Sequence, residues 1–203
     1  MREEISAYKR ERILEEAVRL FYERGFSGTT LDDIAGKLGV TKPFIYTHFR
    51  SKVELLEAIC RPTIEMSMQA IADAARQPGT PSERLFDGIV NFSKVVLRRQ
   101  ANIAVYFREE KHLSETGLAE INGLRKRFDR VLSDLLEEGV RAGEFTIVDI
   151  RLSALAIGGM VSWAYTWYQP EGRLPIDEVG AKLARFTLQM VGVQTMDPRS
   201  TPL

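Results

Sequence analysis

An all-α protein of about nine helices in two domains is what the sequence predicts. Three observations carry that prediction. Apolar residues recur at three- and four-residue steps along almost the whole chain, the spacing that lines one face of a helix. Thr30-Leu-Asp-Asp33, Ser51-Lys-Val-Glu54 and Thr80-Pro-Ser-Glu83 each have the shape of a capping box, the chemistry of a helix start. Only Phe145-Thr-Ile-Val148 reads as a strand.

Taken in order, Ile13, Leu14, Ala17, Val18, Leu20 and Phe21 make the apolar face of a first helix, which Arg24-Gly25 closes. Two short helices follow around Gly39. Ser51 and Thr80 then start longer ones, the latter with Pro81 at its first helical position. Pro62, Gln77-Pro78-Gly79 and Pro170-Glu-Gly172 interrupt or separate helices. Ile121, Leu124, Phe128, Val131, Leu132, Leu135, Leu136 and Val140 form a broad face on a long helix that stops near Gly143. Asp149 caps the uncharged stretch Leu152 to Tyr168, and Ile176, Val179, Leu183, Phe186, Met190 and Val193 make a seam at heptad-like spacing.

Composition narrows the function classes. The 203 residues are enough for a sizeable core, and 44% hydrophobic with 28% charged residues is ordinary for a folded chain. With 28 Lys+Arg against 28 Asp+Glu, the protein is no general basic coat for nucleic acid, though a local basic patch is open to it. Cys60 is the single cysteine, so an intrachain disulfide and a Cys-rich metal site are excluded and a reducing compartment fits. Met1-Arg2-Glu3-Glu4-Ile5 is charged from the start, and no signal peptide is evident. The 17 uncharged residues from Leu152 to Tyr168 sit at the short limit for a membrane span; Ser153, Thr166 and Gly158-Gly159 favour a buried helix instead. A soluble, cytoplasmic protein without a membrane partner is expected.

The segment from Leu31 to Phe49 carries the chemistry. Leu31, Ile34, Ala35 and Leu38 line one helix face, Gly39 supplies the turn, and Pro43 is tolerated in the first turn of the next helix. Ile45 and Phe49 face inward, which leaves Thr41, Lys42, Phe44, Thr47 and His48 outward. That is a helix-turn-helix, whose second helix fits the major groove. Between Asp33 and Glu54 lie Lys37, Lys42, Arg50 and Lys52 with no acid, the local charge that phosphate contact needs.

Phe21-Tyr-Glu-Arg-Gly-Phe-Ser-Gly-Thr-Thr30, Ile34-Ala-Gly-Lys-Leu-Gly-Val-Thr-Lys42 and Ile45-Tyr-Thr-His-Phe-Arg-Ser-Lys52 resemble the TetR/AcrR transcriptional regulators. The likeness is dense over about the first 55 residues, and the helical remainder matches in architecture and length. It implies a helix-turn-helix DNA-binding domain at residues 1–52 and an effector-binding and dimerisation domain at 53–203. It also implies a homodimer on a palindromic DNA operator, usually a repressor, released by a small-molecule effector. Carried over by position, Thr29 or Thr30 holds phosphate at a helix start. Tyr46, His48 and Lys52 match phosphate-contacting positions, Thr41, Lys42, Pro43 and Phe44 lie where base edges are met, and Thr47 belongs to the same DNA-binding set.

For the body, Leu155, Gly159, Val179, Leu183, Phe186 and Met190 are the expected dimer interface, with Gly158 and Gly159 allowing close backbone approach. Phe92, Val96, Tyr106, Phe107, Phe128, Trp163 and Trp167 are the candidate pocket aromatics and aliphatics. Phe107-Arg-Glu-Glu-Lys-His-Leu113, together with the Trp163 to Leu174 segment, is similar to a branch that senses acyl-CoA thioesters. That likeness implies CoA-phosphate contacts from Arg108, Lys111, Arg125 or Arg127. An apolar organic cation held by Trp163 or Trp167 and countered by Glu109 or Glu110 is the other effector class. No metal, cofactor or catalytic residue is expected. Of two His, His48 belongs to the reading helix and His112 has only Glu115 nearby, and no phosphate loop, Gly-x-Ser-x-Gly or Gly-x-Gly-x-x-Gly occurs. A helical interaction dimer without a DNA role is the reading from another class.

Overall fold

The computed structural model describes residues 2–193, and they are helical almost throughout. Among these described residues nine α-helices follow one another: α1 Arg2–Arg24, α2 Leu31–Leu38, α3 Lys42–Tyr46, α4 Lys52–Ala75, α5 Pro81–Arg98, α6 Gln100–Glu109, α7 Glu115–Arg141, α8 Ile150–Ser162 and α9 Ile176–Met190. Short 3-10 turns, Glu110–His112 and Trp163–Thr166, follow α6 and α8. Residues 145–148, read above as strand-like, are coil: Thr146 donates its N–H to the Val191 carbonyl at 2.8 Å, but no ladder forms.

Local chemistry accounts for most helix ends. Thr30 and Asp33 complete a capping box at α2, and Thr80 and Glu83 another at α5, where Pro81 sits at the first position. At α4 the box is shifted: Ser51 accepts from the Glu54 N–H at 3.0 Å, but the Glu54 carboxylate takes the N–H of Arg50 instead. Asp149 accepts from Leu152 N–H at 2.9 Å and starts α8. Pro62 does not interrupt a helix as its sequence context suggested. It lies exposed inside α4, so its missing N–H and its ring fall on the solvent side, and buried residues before and after it hold the helix through.

The chain forms two compact units, residues 2–64 with 99–122, and 65–98 with 123–193. In the first, Ile13, Leu20, Phe21, Ile34, Ile45 and Phe49 of the N-terminal helices are sealed by Leu55, Leu56, Ile59, Val105, Tyr106 and Ile121. The core beneath the helix-turn-helix therefore draws on α4, α6 and α7, well past residue 52. In the second, α5 packs along α9, with Leu85, Ile89, Phe92 and Val96 against Val179, Leu183 and Ala184. Among the described residues no helix is long and apolar enough to cross a membrane.

Candidate functional site

Gly39 makes the site possible. It ends α2 at φ 66°, ψ 29°, the left-handed region where a side chain is strained, and its N–H returns to the Ala35 and Gly36 carbonyls. The chain then enters α3 with Ile45 and Phe49 buried, which aims Thr41, Lys42, Pro43 and Tyr46 at solvent. Tyr46 is 49% exposed. Thr41 makes no side-chain capping bond, so its hydroxyl is open. Thr47 turns its own hydroxyl back on the Phe44 carbonyl at 2.7 Å. Phe44 and His48 are half-buried, their rings meeting edge-on with centroids 5.3 Å apart.

The structure divides the expected phosphate contacts. Thr29 is fully buried, and its hydroxyl donates to the Gly25 carbonyl at 2.9 Å and the Leu20 carbonyl at 3.3 Å; it serves the core. Thr30 is exposed, but its hydroxyl is engaged with Asp33, whose carboxyl those hydrogen bonds hold below the usual carboxylate range. Lys52 is spent on structure too. Its Nζ donates to the Phe26 and Thr29 carbonyls, each at 2.8 Å, and lies 4.2 Å from the Phe26 ring centroid. The ring of His112 stacks on Phe26 at 4.8 Å, so one aromatic links the loop before α2 to the turn after α6.

Lys42 has a partner that the sequence did not suggest. Its ammonium donates to Asp32 at 2.6 Å, and that hydrogen bond raises its pKa. Both groups are exposed, so any DNA contact by Lys42 exchanges a phosphate or base edge for the Asp32 carboxylate. Asp32→Asn is therefore expected to tighten duplex binding by up to about fivefold, the scale of an exposed ion pair. Anisotropy of a labelled duplex at fixed salt measures this, and unchanged affinity would mean that Lys42 keeps Asp32 on DNA.

The residues expected to line a pocket fall into both units. In the first, Tyr106 is 1% exposed and belongs to the core, and Phe107 is exposed. Arg108 donates to the Phe21 and Tyr22 carbonyls at 3.0 Å each, closing the end of α1, so this guanidinium is committed within the subunit. In the second, Phe92 and Phe128 pair with centroids 4.9 Å apart, Val96 is fully buried, and Trp163 and Trp167 are exposed.

The expected subunit seam splits likewise. Val179 and Leu183 are 3% and 5% exposed because α5 covers them, so they have almost no surface to offer a second chain. Phe186, Met190 and Leu155 are about half exposed, at 53%, 47% and 50%. A Cβ at Gly158 would meet the Phe128 ring of its own subunit, whereas Gly159 faces open space.

Cys60 is buried, which pushes its thiol up to about 12, and among the described residues no cluster of His, Cys, Asp and Glu fits a metal.

A helix-turn-helix with a buried core and an exposed Lys42 on its second helix has the form of a DNA-reading head. Residues 13–59 match the family described as bacterial regulatory proteins, tetR family, and residues 78–191 match the tetracyclin repressor-like C-terminal domain. The chain belongs to the TetR family of transcriptional regulators. It is similar to the HTH-type transcriptional repressor KstR2 of Mycolicibacterium smegmatis, 29% identical over 187 residues that cover 90% of each chain. Among solved structures it is similar to the TetR family regulator PfmR of Thermus thermophilus, at 30% identity and TM-score 0.81, over 88% of this chain and 97% of that one. AibR, solved in complex with isovaleryl coenzyme A and operator DNA, is similar at 26% identity and TM-score 0.74, over 90% of this chain and 97% of AibR.

Proposed function

We propose that the chain is a cytoplasmic, homodimeric repressor that an acyl-CoA thioester releases from a palindromic operator, acting by binding and not by catalysis. Residues 1–52 serve as the reading head, and 53–203 bind the effector and pair the subunits. The observation that carries the proposal is the outward face of Thr41, Lys42, Pro43 and Tyr46 on a helix held by Ile45 and Phe49. Two such helices reach successive major grooves if they stand about 34–36 Å apart, one turn of B-DNA. The exposed Leu155, Phe186 and Met190 are the surface a second subunit would cover to set that distance.

Release requires a conformer whose heads no longer fit one turn, and α4, which follows the reading head directly, is the element that sets their separation. Moving the population from 1:99 to 99:1 needs an effector preference of about 5.5 kcal/mol between conformers. Operator DNA must then weaken effector binding by the same factor. The effector class is supported by AibR, crystallised with isovaleryl coenzyme A.

Thermal melting of the full chain with isovaleryl-CoA, free CoA or a lipophilic cationic dye tests the effector class. A thioester that binds only the folded state stabilises it by about 2.7 kcal/mol at 100 times Kd, and it should also lower operator affinity. A melting shift from the dye alone would assign the protein to sensors of organic cations.

A further inference from the structure

The first half of α1 lies outside the core that the rest of the reading head shares. Residues 4–12 are all exposed, and the first fully buried side chain is Ile13. This is about two and a half turns of helix that bury no side chain, and short unsupported helices are marginal in water. Yet the overhang lies beside the reading helix. Lys9 Nζ is 5.5 Å from the centroid of the Phe44 ring, and Ile5, Ser6 and Lys9 wall a groove of about 250 Å³ with Phe44, Thr47 and His48.

Charge is distributed around this overhang unevenly. Ile5, Ser6 and Lys9 share the face turned to α3, whereas Glu4 and Glu11, seven residues apart, lie on the roughly opposite face. Arg10 sits 4.5 Å from the Phe49 ring centroid, so a second base is anchored beside the same helix pair. The groove thus presents a cation, a hydroxyl and an imidazole next to the surface that meets DNA.

We infer that the α1 overhang is a second DNA-contacting element, in which Lys9, with Ser6 beside it, binds a backbone phosphate flanking the base pairs that α3 reads. The inference rests on the reading-head assignment and extends it. Continuity with the α3 surface and the polarity of the groove select a polyanion as the occupant. Phosphate contact by Lys9 adds affinity and fixes register without reading sequence.

The test uses the full chain and a duplex enriched by it from random sequence, with affinity measured across a salt series. Lys9→Met keeps the apolar stem against Phe44 and removes the charge. It should flatten the slope of log affinity against log salt by about 0.9 per phosphate lost in each subunit and leave the enriched sequence unchanged. Lys9→Arg should restore the slope. Because Lys9 is exposed, the variant should melt with wild type, which keeps a null result interpretable. An unaltered slope in Lys9→Met, with Lys42→Ala still weakening binding, would overturn the inference and leave the reading head standing. A changed base preference at constant slope would overturn it too, making Lys9 a brace for Phe44. If neither variant alters binding, the reading-head assignment falls and this inference with it.

Discussion

Gly139→Ala is expected to cost about 3 kcal/mol of folding stability, although the position lies in a helix, where alanine is normally the better residue. At the end of α7 the chain turns back, and the N–H groups of Glu144 and Phe145 both donate to the Gly139 carbonyl, at 2.9 and 3.1 Å. That turn lays the Phe145 ring directly on Gly139, where an added Cβ would overlap ring carbons Cδ2 and Cε2. Phe145 is 4% exposed and packed in the core of its unit, so the ring cannot move aside without leaving the core. Gly123→Ala is the control on the same helix: nothing lies within 4 Å of its added Cβ, and stability should be unchanged or rise by about 0.5–1 kcal/mol. Urea denaturation of the pair gives the comparison. Equal stability of Gly139→Ala and wild type would contradict the packing described for Phe145.

Phe186→Asp is expected to split the proposed homodimer and to weaken operator binding by about a hundredfold or more. A lone head holds one half-site, and the gain from tethering two is lost. Phe186 is 53% exposed, with Met190 one turn further along α9 at 47% and Leu152 and Leu155 of α8 at 63% and 50%. A charge placed there stays hydrated in the isolated subunit, so the melting temperature should fall little, but it would be desolvated on a twofold contact that brings the same patch from both sides. Sedimentation velocity distinguishes the species. A Phe186→Asp chain that still sediments as a dimer would move the subunit contact away from this patch. Leu183→Asp is no substitute, because Leu183 is 5% exposed and a buried unpaired charge would unfold the unit before it tested the interface.

That contrast shows where the sequence was legible. Helix starts were, because a capping box is a contact over three residues: Thr30 with Asp33 and Thr80 with Glu83 form as their spacing suggests. Likewise Gly39, Ile45 and Phe49 take the turn and core positions that local pattern assigned. The face of α9 was harder. Large apolar letters pointed to Val179, Leu183, Phe186 and Met190 as one face, but the face α9 buries is Val179, Gly180, Leu183, Ala184 and Thr187, because α5 approaches closely. A Cβ on Gly180 would sit 3.4 Å from the Val90 carbonyl. Small residues mark such contacts and carry no hydrophobic signal.

Individual roles at the reading head were least legible, since they depend on which partner reaches a side chain across the fold. Lys52 and Lys42 look alike in sequence, yet one is tied to two carbonyls and the other to an exposed carboxylate. Thr29 and Thr30 are adjacent, and one is wholly inside the core. Lys9 lies before the apolar repeat of α1, where no local pattern marks a site. Three bases at positions 9, 10 and 12 were the available signal.

The account turns on two identical heads reading one duplex, and selection from random-sequence DNA with the full chain tests that most directly. It predicts enrichment of an inverted repeat whose half-site centres lie one helical turn, about 34–36 Å, or a multiple of it apart, with enrichment fading as salt rises. Recovery of a single unpaired half-site, or of no common sequence at low salt, would contradict it.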